Sequence, residues 1–402
     1  MSQNYIFYTR IFADEENSTQ LLANERYFMF FKSFSQHRMH NIFYPTELIL
    51  SYYTMFLIIL GTICNAISFM VMNARKLRNY SCMKILSFLS IVDTLVLYQW
   101  NLNTFFKYNL SSPPHFEDLE EISIVWCRLI SFLAFSTLQI SSWLLALVSF
   151  DRAMGVYSTC WTRQMNKSKK LYTLIIFICV FVLLLNSHLL VFNGFYVEKI
   201  NPETSQSYKA IICYQSKWDE DYIFPKWQTV HLFMYNAIPF LIMLVCNFFI
   251  IYNVKYARKV KSHNKKSEKR KKRMTFMLIL VTCTFMILTL PSVIVHTFYR
   301  EILSDKPYRR MINLIVNNLV HTSHAINFFL YIFSAPNFRT EFNQFFADLM
   351  SKFRKSESQN LRSQLVEQTD SNKRKSFAST IILTKSDQNN KNNQNNAKSL
   401  FI

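Results

Sequence analysis

Apolar residues fall in seven long runs along the 402-residue chain, separated by polar stretches. Leu48 to Met72 carries no charge, and Met83 to Phe106 carries Lys84 at its start and one acid, Asp93, inside. Cys127 to Arg152 is uncharged between Arg128 and Asp151. Leu171 to Tyr196, Trp227 to Val254, Met274 to Tyr299 and Met311 to Ser334 complete the set. As an α-helix the third run rises about 38 Å, enough to cross a hydrocarbon core of about 30 Å with some tilt. The pattern predicts an all-α membrane protein, a seven-transmembrane helix bundle over 48–334. From Ala335 to Met350, Phe338, Phe342, Phe345, Phe346 and Leu349 share one helical face, which predicts an amphipathic eighth helix on the membrane surface. Residues 1–47 are mixed and polar, and 351–402 are rich in Ser, Asn, Lys and Gln, which predicts a disordered tail.

The formal net charge of +20 would by itself suit nucleic acid or an anionic surface. The basic residues, however, sit between apolar runs: Arg75, Lys76 and Arg78; then Arg163, Lys167, Lys169 and Lys170; then eleven within 255–273. The alternate connection 107–126 holds Glu117, Asp118, Glu120 and Glu121 against Lys107. Lys and Arg in short loops favour the cytoplasmic side. The expectation is a multi-pass plasma membrane protein with its N-terminus outside and its tail in the cytoplasm, with the lipid bilayer and not nucleic acid as partner. No basic start with an uninterrupted apolar core opens the chain, so the first run is expected to direct insertion. Asn17 and Asn109 are then outer glycosylation candidates, although Asn79 and Asn166 match the same pattern on the inner side.

Eight cysteines without CxxC spacing argue against a metal site. On this topology only Cys127, atop the third span, and Cys213, in the 197–226 connection, face the oxidising side, and they are expected to pair. Asp93, in mid-membrane, calls for partners in the bundle interior. Candidates are Ser141 in the third span and Ser323, His324 and Asn327 in the seventh. The seventh run also carries Asn313, Asn317, Asn318 and His321, so one side of it must line a cavity or bond to neighbours. Pro239 and Pro291 each remove a backbone hydrogen bond and favour a kink.

Asn65, LSIVD at 89–93, Cys127 with Asp151-Arg152 closing the same helix, Cys213, Pro239, Phe285 with Pro291, NFFLY at 327–331 and Phe338 occur in a telling order. Over about residues 48–350 the chain resembles the rhodopsin-like (class A) G-protein-coupled receptors, and its later helices look most like invertebrate neuropeptide receptors of the FMRFamide-receptor kind. The resemblance implies a receptor that activates a heterotrimeric G protein. Arg152, paired with Asp151 at rest, would be released as the sixth helix swings outward. Phe285 would repack beside Pro291, and Asn327 and Tyr331 would link the seventh helix to the second and third. Asp93 and Ser141 match a sodium-binding pocket, with Asn65 and Ser323 in the same polar network; no other cofactor is implied. The chain departs from the family pattern at Ala153, Asn247, Thr289 and Phe328, and it lacks the usual helix-4 Trp.

Ala134 falls where amine receptors carry their acid, and His321 where opsins carry their lysine, which argues against an amine ligand and against a retinal Schiff base. Trp100, Asn103, Phe135, His231, His296, Tyr299, Asn317 and His321 are the expected ligand pocket. The acidic stretches Glu117–Glu121 and Asp219–Asp221 would steer cations, so the expected ligand is a small basic or amidated neuropeptide, with a small environmental or lipid-like molecule as the alternative. Ser376, after Lys373-Arg374-Lys375, is a phosphosite candidate in a tail that could recruit arrestin. A transporter or channel would use Asp93 and the polar seventh helix, but the chain shows no inverted repeat and that class leaves Arg152 unexplained. No GxSxG, HExxH or paired intramembrane Asp motif occurs, so no enzyme is expected.

Overall fold

The computed structural model describes residues 15–110, 118–167, 169–200, 205–256, 265–359 and 362, without the side chains of 15–41, 254–256 and most of 265–275. The chain divides into two compact units, Met1–Arg339 and Thr340–Ile402. The first unit holds α1 (Glu15–Met72), α2 (Ser81–Asn109), α3 (Ile124–Tyr157) and α4 (Lys169–Asn186). It continues with α5 (Ile238–Tyr256), α6 (Lys265–Phe298), α7 (Arg309–Ala325) and α8 (Asn327–Ser334).

Six helical stretches among the described residues are long and apolar enough to cross a membrane: Ile42–Met72, Ser81–Asn109, Ile124–Tyr157, Lys169–Phe192, Tyr222–Asn253 and Phe276–Phe298. The seventh span is α7 and α8 together, interrupted at Ile326. The family's proline is absent, yet the helix still breaks. Side chains turn back onto the carbonyls of this stretch: Thr322 Oγ1 donates to Asn318 O at 2.6 Å and Ser323 Oγ to Val320 O at 2.7 Å, a habit that bends helices.

Burial ranks the helices. In their apolar stretches 67 % of α2 and 61 % of α3 are buried, against 22 % for the α4 span. So α2 and α3 form the axis, and α4 lies at the side with Ile176, Phe177 and Leu184 exposed. Leu241, Val245 and Phe248 of α5 are exposed too. Apolar faces of this size on a polytopic bundle are what lipid covers. Gly61 lets α1 approach α2 and α7: a Cβ there would run into the Leu97 side chain, with Ala325 Cβ 3.1 Å away.

Several boundaries differ from the sequence reading; the fourth span, expected to run to Tyr196, ends at Phe192, and Tyr196 lies in a strand. Helix α1 starts at Glu15, not Leu48, and runs through Pro45. Residues 15–47 lack an apolar run but are rich in good helix formers such as Leu, Met, Glu, Gln and Arg. The 197–226 connection is not a plain loop: β1 (Phe195–Ile200) and β2 (Ser207–Ile212) pair antiparallel, from Phe195↔Ile212 to Ile200↔Ser207. In the second unit the helical backbone continues past Met350 to 359, because Glu, Lys and Arg sustain a helix as well as they would a coil. There Phe346, Leu349, Met350 and Phe353 are exposed. Ser376 lies outside the described residues.

The entry to α5 answers a question posed by Pro239. Proline cannot donate to the carbonyl four residues back, here Tyr235 O. Ser142 Oγ from α3 donates to that oxygen at 2.5 Å, and Trp143 Nε1 donates to Met234 O at 2.9 Å. The freed carbonyls become an α3–α5 joint.

Candidate functional site

Cys127, in the first turns of α3, is disulfide-bonded to Cys213, directly after β2. The hairpin is thereby held at one end of the bundle. Asn193 locks the same corner: its Nδ2 donates to Ser131 Oγ at 2.8 Å and its Oδ1 accepts from Tyr214 N at 2.9 Å. Tyr214 is thus held beneath the disulfide, with a left-handed φ of 62°.

Two adjoining chambers lie below and beside this corner. The deeper, of ≈ 140 Å³, is lined by six expected residues, Trp100, Phe135, His231, His296, Asn317 and His321. Its wall contains no Asp, Glu, Lys or Arg. The outer chamber, of ≈ 450 Å³, shares Trp100, Tyr214 and Asn317 with the deeper one and adds Lys107, Asp118, Glu120, Glu121, Lys199 and Arg310. Asn103 belongs to this outer chamber, not the deeper cavity. Its side chain accepts from Leu119 N at 2.8 Å and donates to Glu120 Oε1 at 3.3 Å, which turns it toward the loop. Tyr299 lines neither chamber; it sits just past the end of α6, 49 % exposed. Sequence reasoning missed Tyr214, Phe224 and Tyr235 as lining residues; only the position of Tyr214 next to Cys213 offered a signal.

The charges at the mouth are not free in equal measure. Lys107 Nζ pairs with Asp118 Oδ2 at 2.7 Å, and Lys226 Nζ with Asp219 Oδ2 at 2.5 Å. Glu120 is buried, and Tyr214 Oη donates to its Oε1 at 2.8 Å. Burial pushes the Glu120 carboxyl up to about 7, against the Tyr214 hydrogen bond, which pulls it down. Part of the acidic surface expected to steer cations is therefore taken up internally, while Glu220 and Asp221 remain exposed. Arg300 is in the opposite position. Its guanidinium lies 4.0 Å from the centre of the Phe224 ring. Its buried Nη1 has no hydrogen-bond partner among the described residues. Burial first, then the neighbouring Arg309, holds it below its ordinary value.

Deeper in the bundle, Asp93 joins three helices. Its Oδ1 accepts from Ser141 Oγ at 2.7 Å and from His324 Nδ1 at 2.8 Å, and its Oδ2 accepts from Asn327 Nδ2 at 2.7 Å. Asn65 Nδ2 donates to the His324 carbonyl at 3.3 Å. Ser323 does not reach Asp93, since its hydroxyl bonds Val320 O. A second buried chain escaped sequence reasoning: Asn186 Nδ2 donates to Gln139 Oε1 at 2.8 Å, and Gln139 Nε2 lies 3.0 Å from His231 Nδ1.

At the far end of α3, Arg152 Nη2 lies 2.5 Å from Asp151 Oδ2. Ser81 Oγ donates to the same oxygen at 2.7 Å, and Trp161 Nε1 donates to Oδ1 at 3.2 Å. Asn247, where the family carries a Tyr, donates to Thr282 Oγ1 at 2.8 Å and ties α5 to α6. Phe285 packs edge-on against Tyr235 and His324, with ring centres 6.1 and 5.9 Å apart. Pro291 lies in α6, and Thr289 Oγ1 bonds Phe285 O at 2.9 Å. Asn327 does link the seventh span to α2, but the buried Tyr331 hydroxyl has no hydrogen-bond partner among the described residues. The Tyr331 ring packs on Phe338 instead, at 5.6 Å. The Asn109 amide donates to Ser51 Oγ at 3.0 Å and to Phe105 O. The side chain of Asn17 lies outside the described residues.

Residues 64–331 match the family model of the seven-transmembrane receptors of the rhodopsin family. The chain is similar to cysteinyl leukotriene receptor 1 of Cavia porcellus, 27 % identical over 228 residues that cover 53 % of this chain and 61 % of that protein. It is similar to the receptor of the same name from Mus musculus, 24 % identical over 232 residues covering 54 % and 61 %. The chain spans about three fifths of the length of these relatives. A family match over most of the spans, a disulfide-pinned hairpin and an Asp-Arg pair at the far end of α3 agree: the chain belongs to the rhodopsin family of seven-transmembrane receptors.

Proposed function

We propose that this receptor sits in the plasma membrane with the disulfide end outside, binds an acidic, lipid-like amphiphile there, and activates a heterotrimeric G protein at the Arg152 end. The observation that carries the ligand class is Arg300, a half-buried guanidinium with an unbonded Nη1, stacked on Phe224 of the wall of a cavity that holds no Asp, Glu, Lys or Arg. A half-buried guanidinium whose buried N–H has no acceptor favours an incoming carboxylate or sulfonate, and a charge-assisted hydrogen bond there is roughly twice as strong as a neutral one. The deeper chamber would take the apolar body of the same molecule. The relatives are named cysteinyl leukotriene receptors.

In this reading Arg152 leaves Asp151 as α6 moves outward, Phe285 repacks near Pro291, and Tyr331, whose hydroxyl is uncommitted, finds its partner in the open form. The agonist shifts the equilibrium only by binding the open form better. The exposed apolar face of the 336–359 helix lies on the inner leaflet, and phosphorylation of Ser376 recruits arrestin. A second reading, a small basic or amidated neuropeptide, draws on the exposed Glu220 and Asp221.

G-protein activation in cells exposed to cysteinyl leukotrienes and, separately, to basic amidated peptides tests both readings. An acidic lipid should activate, Arg300→Gln should raise its half-maximal concentration about tenfold, and Arg152→Ala should abolish the response. A response to the peptides alone would replace the lipid reading. Silence to both, with normal surface expression, would remove both ligand classes.

A further inference from the structure

The sodium pocket that the family resemblance attaches to Asp93 and Ser141 meets an obstacle in this chain. A small hard cation takes oxygen ligands, and it needs lone pairs of the carboxylate. Here three donors already point at Asp93, and two of them are nitrogens, His324 Nδ1 at 2.8 Å and Asn327 Nδ2 at 2.7 Å. Ser141 Oγ directs its own hydrogen at Oδ1, 2.7 Å away. The imidazole is 1 % exposed and lies against Ser141 Oγ as well, at 3.4 Å. The residues present do not fit the ion.

We infer that His324 stands where the cation would be: the native α2–α3–α7 knot binds no sodium, and a small residue at position 324 opens a latent sodium site. A buried carboxylate inside a membrane needs a partner. An ion and a donor side chain are alternative solutions, and they differ in one measurable respect. An ion stabilises by mass action, so its contribution follows its concentration. A histidine belongs to the chain, and its contribution is constant. As the donor to Oδ1, the ring carries a hydrogen on Nδ1 whether neutral or charged, so the exclusion of the ion does not depend on its protonation. The same residue meets two further helices, since its carbonyl accepts from Asn65 of α1 and its ring packs on Phe285 of α6. Replacing the ring by serine leaves the Asp93 carboxylate short of one donor, with the Ser141 hydroxyl and a second hydroxyl facing the vacated space. That is an oxygen-lined gap of the kind a monovalent cation fills.

The test uses the purified full-length receptor in detergent and needs no ligand. Thermal unfolding is compared in sodium chloride and in choline chloride at equal ionic strength, for the native chain, His324→Ser and His324→Ser with Asp93→Asn. The native Tm should be the same in both salts. His324→Ser should show a saturable sodium-specific rise of about 3 °C, and the double variant should lose it. Saturable sodium stabilisation of the native chain would overturn the inference whatever the variants do. So would a folded His324→Ser protein with no sodium response, or a response that survives Asp93→Asn.

Discussion

Asp93 and Glu120 are both buried carboxylates, 1 % and 3 % exposed, and the fold treats them in opposite ways. Asp93 has both oxygens covered by donors from α3, α7 and α8. Glu120 has its side-chain hydrogen bonds, from Tyr214 and Asn103, on Oε1 alone, and Asp118 stands nearby. The first acid is a joint between helices whose positions the membrane and their own packing already fix. The second lies in a short 3₁₀ turn, Leu119–Ile122, held under a disulfide-pinned loop. The contrast separates a fixed structural acid from one free to change charge near neutral pH.

The largest expected effect breaks the first joint. In Asp93→Asn the amide offers one acceptor oxygen where the carboxylate offered two, and the charge that three donors served is lost. The cost is about 4 kcal/mol, as for a buried pair that loses one partner. Glu120→Gln keeps the Oε1 acceptor for Tyr214 and Asn103 and removes a carboxyl whose charged form burial disfavours, so at neutral pH it should not lower stability and should raise it. Thermal unfolding of the two variants in detergent compares them directly. Equal losses would mean that donor count does not distinguish the sites.

What the sequence made legible follows the same division. Spans were readable because each needs about 20 apolar residues and the chain supplies them in runs. The helical part of the pocket was readable because Trp100, Phe135, His231, His296 and His321 sit on spans. The rest of the site comes from loops. Tyr214 and Phe224 reach it only because of the disulfide and the hairpin, and Arg300 stacks on Phe224 from the chain's exit from α6; no periodicity records those. Tyr299 shows the reverse error: the helical count was carried one step beyond Phe298, where α6 stops. Ser323 was a candidate partner for Asp93 together with His324 and Asn327. His324 and Asn327 are three apart and share a helix face, whereas Ser323 is turned about 100° away from His324. The break at Ile326 stayed hidden because side-chain hydrogen bonds, not a proline, produce it.

A middle-sized effect tests the second acid by pH. Burial raises Glu120 from an ordinary value of 4.5 to about 7 in the folded protein. The folded state then holds a proton that the unfolded chain has released. Between about pH 4.5 and 7 the unfolded state binds fewer protons, so stability falls as pH rises and levels off above 7. Across that window the loss attributable to Glu120 is about 3 kcal/mol. Unfolding midpoints measured from pH 5 to 8 should therefore be less steeply pH-dependent in Glu120→Gln. A difference curve between native and variant that stays flat through the window would mean that the carboxyl is not held in this environment.

The smallest effect isolates geometry from composition at the first acid. Ser141 and Ser323 are both buried serines on spans that face Asp93, and composition alone gives no reason to rank them. Ser141 donates to Asp93 Oδ1, whereas Ser323 donates to Val320 O within its own helix. Removing the Ser141 hydroxyl takes one of three donors from a buried carboxylate and should cost about 2 kcal/mol, in the range for a hydrogen bond to a charged group. Removing the Ser323 hydroxyl frees a carbonyl that the helix can still serve and improves intrinsic helix propensity, so the change should stay within about 0.5 kcal/mol. The measurement is the difference between Ser141→Ala and Ser323→Ala unfolding midpoints, with Asp93→Asn as background. In that background the Ser141 cost should shrink and the Ser323 cost should not, because only the first serine is coupled to the acid. A Ser323 effect that vanishes with Asp93 would instead put its hydroxyl in the knot and turn the first turn of the Ile326 break toward α2.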